Sequence, residues 1–459
     1  MRFPPSLVLA ALGLVSPVWA QSPAPAANRD PQIESIVRQI SAANIEANIR
    51  QLVAFKTRHT LSTTSDPKFG IGAARNWIKS ELDRYSRESG GRLVVTFDAF
   101  HQPPAPRVPD GVEIVNVVAT LPGTQPQAKN RIYVVSGHYD SICRNFMDPT
   151  DPAPGADDDG SGTAAVMEMA RVMSQYRFDA TLVFMTVAGE EQGLYGSTHW
   201  AQEAKRQGLN VAGMFTNDII GNTLHEDGTR DRSHVRLFAE GVTVPRDGQL
   251  SPDVAAQIRT GGENDFPTRQ LARLIQTVGA RYVPQLPVEI IYRRDRYLRG
   301  GDHSPFLDEG YPAVRFTEPY EVFSRQHQNV VFENGIHYGD TVEYVDFAYA
   351  ADVARVNAAA LAELALAPAT PHDVALETAK LENDTSLRWS PNDEPDLAGY
   401  RIVWRDTTAP QWQHAIDVPK DRTEFTVKGV SKDNEIFGLE TFDTQGHASP
   451  AVYPRPRRD

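Results

Sequence analysis

Five short segments carry the residues best able to do chemistry. They are Gly137-His138-Tyr139-Asp140, the run from Gly155 through Asp157-Asp158-Asp159 to Gly162, Gly189-Glu190-Glu191-Gln192-Gly193, Asp218 in MFTNDIIGN, and Gly301-Asp302-His303-Ser304-Pro305-Phe306. Residues two apart on an extended chain project to the same side. Asp140 can therefore accept from one imidazole nitrogen of His138 and leave the other free for a metal. Three adjacent carboxylates repel one another unless a cation or bulk water compensates them. Asp157, Asp159, Ser161, Gly162 and Glu168 roughly match the spacing of a calcium-binding EF-hand. That motif needs a helix on both sides, and the incoming DPTDPAP segment ending at Pro154 cannot form one. Glu190 and Glu191, at the end of an apolar run and between two glycines, form a candidate base-plus-ligand pair. Taken singly, each segment reads as an ordinary polar loop. Together they offer two histidines and several carboxylates but no thiolate, since Cys143 is the only cysteine. Such nitrogen and oxygen donors suit a pair of zinc ions, each with an open position.

The elements that must hold these groups are legible as runs of apolar residues. Spacing predicts helix over 33–55, 71–85, 163–173 and 348–366. Strands are expected over 92–100, 112–121, 131–136, 181–188, 214–216 and 314–317. RIYVVSG and TLVFMTVA are nearly continuous apolar runs, as central strands covered on both faces would be. The alternation of helix and strand predicts an α/β body with a mixed, largely parallel sheet flanked by helices. Four of the five segments follow or end strands, and ligands gather beyond the carboxyl ends of parallel strands. After Ala367-Pro-Ala-Thr-Pro371 the pattern changes. Trp389, Tyr400, Ile402 and Trp404 alternate with polar residues, and residues 372–459 read as a small all-β sandwich.

The chain has 459 residues, 41% of them hydrophobic, which is enough for a substantial core. Its 59 acids against 46 bases give a net charge of −13, the wrong sign for a nucleic-acid binder. Arg2, the apolar run LVLAALGLV and Val18-Trp19-Ala20 predict a signal peptide over 1–20, with cleavage after Ala20. Residues 21–32, rich in proline and alanine, are expected to be a flexible leader. No later apolar stretch approaches the ~20 residues of a membrane span. The expected product is exported, to the periplasm or beyond the cell, without a membrane span.

In order and spacing, GHYD, PGADDDGSG, GEEQGLYGS, NDIIGN and GGDHSPF resemble the secreted di-zinc aminopeptidases of the bacterial leucyl aminopeptidase type. That family also includes glutamate carboxypeptidases and glutaminyl cyclases. The resemblance covers residues 33–366 and implies a zinc exopeptidase fold, two zinc ions, and removal of N-terminal residues from peptides with a free N-terminus. It implies that His138 and Asp218 hold one zinc, that Glu191 and His303 hold the other, and that Asp158 bridges them. Glu190 would be the general base acting on a water shared by the metals, and Asp140 the partner of His138. Relatives often carry a compact His-Thr-x-x-Asp-Thr segment. Here Asp340-Thr341 is present but neither His327 nor His337 stands at that spacing, and both are assigned structural roles. Trp389, GYRIVW and FDTQG make the tail similar to a fibronectin type III module, although no tyrosine lies between Lys432 and Phe442, where that module fixes a corner. The tail could contact a surface or another protein. A carboxypeptidase on the same fold would need a cationic anchor, and Arg293, Arg294, Arg296 and Arg299 stand just before His303. A glutaminyl cyclase, or a secreted binding or adhesion protein built around the tail, completes the alternatives.

Overall fold

The computed structural model describes residues 29–244 and 248–458. The expected signal peptide, and the expected leader up to residue 28, lie outside the described residues. The apolar spacing of residues 33–55 resolves into two helices, α1 (Pro31–Gln39) and α2 (Ala42–Ala54). Asp30 caps α1 by accepting from the Ile33 N–H at 2.9 Å, so the helix starts inside the expected leader. Ile40 is extended, and the Ser41 hydroxyl then accepts from the Asn44 N–H, starting α2 as an N-cap does.

The body continues through α3 (Gly70–Glu88), β1 (Val94–Gln102), β2 (Val112–Leu121), β3 (Arg131–His138), α4 (Gly160–Met173), β4 (Thr181–Val187), α5 (Glu190–Gly193), α6 (Tyr195–Arg206) and β5 (Asn210–Asn217). After these come β6 (Val235–Phe238), α7 (Pro252–Arg259), α8 (Pro267–Tyr282), β7 (Val288–Ile291), α9 (His303–Asp308), β8 (Ala313–Thr317), the short hairpin β9 (Val331–Glu333) and β10 (Ile336–Tyr338), and α10 (Phe347–Leu366). Eight strands form one sheet in the order β1-β2-β4-β3-β5-β8-β6-β7. Its centre, β4-β3-β5-β8, is parallel throughout, while β1, β2 and β6 join by antiparallel pairing. This is the α/β class expected from the alternating runs.

Alternation along β3 explains the layers. Tyr133 and Val135 face a core shared with α1, α2, α4, α8 and α10, whereas Val134 faces a smaller core with Ala201 of α6 and Phe306 of α9. Burial on both faces is why β4 is apolar nearly throughout. No helix among the described residues is long and apolar enough to cross a membrane.

The tail comprises β11 (His372–Glu377), β12 (Thr385–Ser390), β13 (Leu397–Asp406), β14 (His414–Pro419), β15 (Glu424–Val427), β16 (Glu435–Asp443) and β17 (Arg455–Arg457). They form two sheets, β15-β12-β11-β17 and β14-β13-β16, antiparallel except where β17 joins β11. Leu387 and Trp389 of the first sheet share a core with Tyr400, Ile402 and Leu439 of the second.

Candidate metal centre

The C-terminal edge of the parallel strands brings the chemistry together. His138 is the last residue of β3, Glu190 and Glu191 follow β4, and Asp218 follows β5. Asp158 lies in the turn that enters α4, and His327 in the loop after β8. His138 Nε2 stands 3.2 Å from Asp158 Oδ1 and 3.9 Å from Asp218 Oδ1. His327 Nε2 stands 2.9 Å from Asp158 Oδ2 and 3.2 Å from Glu191 Oε2. Two groups of donors result, His138–Asp158–Asp218 and Asp158–Glu191–His327, each compact enough to surround one ion. Asp158 belongs to both, one oxygen to each histidine.

The three adjacent aspartates face different ways. Asp159 accepts from the N–H groups of His138 (2.9 Å), Gly162 (2.9 Å) and Ile219 (3.3 Å), tying the ends of β3 and β5 to the start of α4. Asp157 accepts from the Gly221 N–H at 2.7 Å. Asp340 accepts from the backbone N–H of Asp157 at 2.9 Å and of Asp158 at 2.7 Å, fixing the turn from outside. Only the middle carboxylate is left to face the two imidazoles.

Around this centre the chain supplies orienting contacts. Asp140 faces His138 Nδ1 with its backbone carbonyl at 3.2 Å and its Oδ1 at 3.6 Å, on the opposite side of the ring from Asp158. Its Oδ2 accepts from the Thr60 hydroxyl at 3.0 Å and the Glu191 N–H at 3.2 Å. Fully buried Arg58 donates to the carbonyls of Tyr139 (2.7 Å) and Gly155 (2.8 Å), joining two of the site loops. Fully buried Arg315 pairs with Asp218 Oδ2 at 2.9 Å, leaving Oδ1 toward His138. Glu190 lines the same cleft of about 440 Å³ as His138, Asp158, Glu191, Asp218 and His327. Burial pushes its carboxyl well above the ordinary range; Glu191 and Asp218 add to that and His138 opposes it.

The donor set fits divalent zinc: imidazole nitrogens and carboxylate oxygens, buried, with more negative charge than the protein balances nearby. Burial works against charge on both histidines, yet the carboxylates around them outweigh it and raise both well above the ordinary imidazole value. The buried Oε1 of Glu191 accepts no hydrogen bond among the described residues, as an oxygen meant for a cation would.

His303 requires a correction. It opens α9 and is fully buried, but it belongs to neither donor group. Its Nε2 lies 2.8 Å from the Arg294 carbonyl and 3.5 Å from Asp295. Burial lowers its pKa to about 4, so the ring is neutral and acts as a donor within the loop. Phe306, three residues on, packs in the core behind β5 and β8 and fixes the helix in this direction. His327, rather than His303, lies with Asp158 and Glu191 in the second donor group. The signal for it was Asp340-Thr341: the β9–β10 hairpin lies between His327 and Asp340 and stretches the compact spacing. His337 is elsewhere, its Nδ1 2.8 Å from the Tyr344 hydroxyl.

This arrangement defines a class, an α/β protein with two candidate divalent-metal sites sharing one carboxylate at the edge of its sheet. Residues 116–361 match the family described as Peptidase family M28. A probable zinc metalloprotease of Leptosphaeria maculans is 47% identical over 425 residues, covering 93% of this chain and 97% of the relative. One from Pyricularia oryzae is 45% identical over 432 residues, covering 93% and 85%. Among solved structures, LapB of Legionella pneumophila superposes with a TM-score of 0.51 at 19% identity, covering 74% of this chain and 76% of that one. The LapA aminopeptidase of the same organism gives 0.50 at 20% identity, covering 73% and 75%. The chain belongs to peptidase family M28, and is by that membership a hydrolase.

Proposed function

We propose that the chain is an exported zinc-dependent aminopeptidase that removes N-terminal residues from peptides. The observation that carries this reading is Asp158, whose two oxygens face one histidine each while Glu190 stands in the same cleft. His138 and Asp218 would hold one ion, Glu191 and His327 the other, and Asp158 both. When bound, paired zinc ions polarise a scissile carbonyl and lower the pKa of water from 15.7 to about 7. Glu190 then takes the proton of the attacking water on its carboxylate and returns it to the departing amine. Asp140 keeps the His138 ring turned so that Nε2 faces the cleft, and Arg315 does the same for one oxygen of Asp218. The acidic floor of the cleft favours a substrate's cationic α-amine. Support for zinc comes from the curated relatives, described as probable zinc metalloproteases.

The test compares a leucyl peptide with its N-acetylated twin, with and without a zinc chelator. Chelator-sensitive release of leucine from the free peptide alone is the expected result. Cleavage of the blocked peptide from its far end would replace this reading with a carboxypeptidase.

A further inference from the structure

The four arginines before His303 are not equivalent. The Arg293 guanidinium lies over the Tyr297 ring at 5.2 Å, and Arg294 pairs with Asp308 at 2.5 Å, so both are occupied by neighbours in the loop. Arg296 and Arg299 line the cleft that holds Glu190 and the donor groups, and Arg107 lines it too. Arg296 is held by three partners: it bonds Asp295 (2.9 Å), Glu321 (3.0 Å) and the Gly300 carbonyl (2.9 Å). The Arg299 guanidinium pairs with Glu321, Nη1 to Oε2 at 3.0 Å, and its side chain is 35% exposed. Glu321 is shared among Arg236, Arg296 and Arg299, and Arg296 has Asp295 as well, so Arg299 holds a share of one carboxylate. Arg107 is pinned by its bond to the Glu191 carbonyl at 2.6 Å and by the Phe146 ring at 4.8 Å.

The cleft therefore has two poles in a chain whose net charge is −13: a floor of carboxylates and a rim of held arginines. We propose that Arg299 and Arg107 form a subsite for a carboxylate on the leaving side of the scissile bond, so that the enzyme favours short peptides with a negative charge there. The inference rests on the aminopeptidase reading, because the acidic floor must take the α-amine for the carboxylate to fall at the rim. A volume of about 440 Å³ is in the range of small-ligand pockets and suits a peptide of a few residues. Guanidinium groups bind carboxylates through paired, directional hydrogen bonds, and both arginines are already immobilised by other contacts. The carboxylate can come from a free C-terminus or from an acidic side chain.

The test measures kcat/KM of the zinc-loaded full chain on leucyl-alanine, leucyl-alanine amide and leucyl-aspartic acid amide. Hydrogen bonds to a charged group imply a preference of roughly 10- to 100-fold for a carboxylate-bearing substrate over the neutral amide. Preference for leucyl-alanine identifies the C-terminus as the source, and preference for the aspartyl amide identifies the side chain. Arg299→Gln should bring the ratio toward one, and Arg299→Lys should restore part of it. Arg107→Gln should lower the same ratio, whereas a purely structural loss would depress acid and amide together. Equal turnover of all three by the wild type, or an unchanged ratio in Arg299→Gln, overturns the subsite and leaves the aminopeptidase standing. Silence on all three overturns the aminopeptidase reading and the subsite with it.

Discussion

Glu190 and Asp158 are carboxylates in one cleft, but their surroundings give them different work. Asp158 is engaged by an imidazole at each oxygen, while Glu190 has burial and like charges around it and holds a proton readily. Replacing Glu190 by Gln should keep zinc and lose about 10²–10⁴-fold in turnover, the share general acid–base catalysis ordinarily supplies. Near-native turnover with intact metal would remove it from that role. A second prediction separates the two histidines. His327→Ala should lose zinc, measured by metal analysis after dialysis. His303→Ala should retain it and lose about 1–3 kcal/mol of stability, since the change strands a buried carbonyl. Zinc loss in His303→Ala alone would reverse the assignment. His138, Glu190, Glu191 and Asp218 were expected from short motifs beside strands and Asp158 from the aspartate run that enters α4, and all five line one cleft. His327 was not, because its place depends on how the loop after β8 folds back over the cleft. Nothing within a few residues of it announces that.

At the scale of elements, the site is a consequence of four parallel strands ending together, with loops fastened from behind. Asp340 is the fastening that follows the β9–β10 hairpin, and its two oxygens take the N–H groups that set the Asp157–Asp158 turn. Asp340→Asn keeps the shape but turns an acceptor into a donor against an N–H. Zinc affinity should fall about 10–100-fold, as is usual when a group that orients a ligand is altered. Titration against a competing chelator measures this, and wild-type affinity would mean the turn holds itself. The central strands were legible from their apolar runs, because burial on both faces leaves no polar positions. The single helix expected over 33–55 was not, because both of its halves are amphipathic and only Ser41 marks the break. β6 and β7, each four residues long, are too short to show a period. α8 escaped notice although Leu271, Ile275, Val278 and Tyr282 stand at helical spacing on its buried face, with Arg269, Gln270 and Arg273 buried beside them.

Those buried polar residues belong to the scale of the whole molecule, because the tail packs on the body there. Asp265 is completely buried between Arg273 of α8 at 2.9 Å and Arg405 of β13 at 2.7 Å, and Arg273 also donates to the Pro410 carbonyl at 2.8 Å. No local pattern could show this, since the partners are brought together only by the final fold. Removing Asp265 would leave two guanidiniums buried without their counter-ion, so Asp265→Ala should cost about 3–5 kcal/mol in denaturant unfolding. A change below 1 kcal/mol would mean that the tail is merely tethered. A second contact across this boundary titrates. His447 of the tail lies with Nδ1 2.7 Å from Asp443 and Nε2 3.6 Å from Asp30, the residue that caps α1. Burial opposes its charge, but Asp443, Glu363 and Asp30 outweigh that and raise its pKa above the ordinary imidazole value. The folded chain thus holds this proton more tightly than the unfolded chain. Its contribution to stability is complete below about pH 6.5 and disappears as pH rises through the raised value. The thermal midpoint should therefore fall between neutral and mildly alkaline pH in the wild type, and His447→Gln should flatten that fall. If the two proteins show the same slope, the proton is held no more tightly at the boundary than in the unfolded chain, and the docking of the tail is independent of pH.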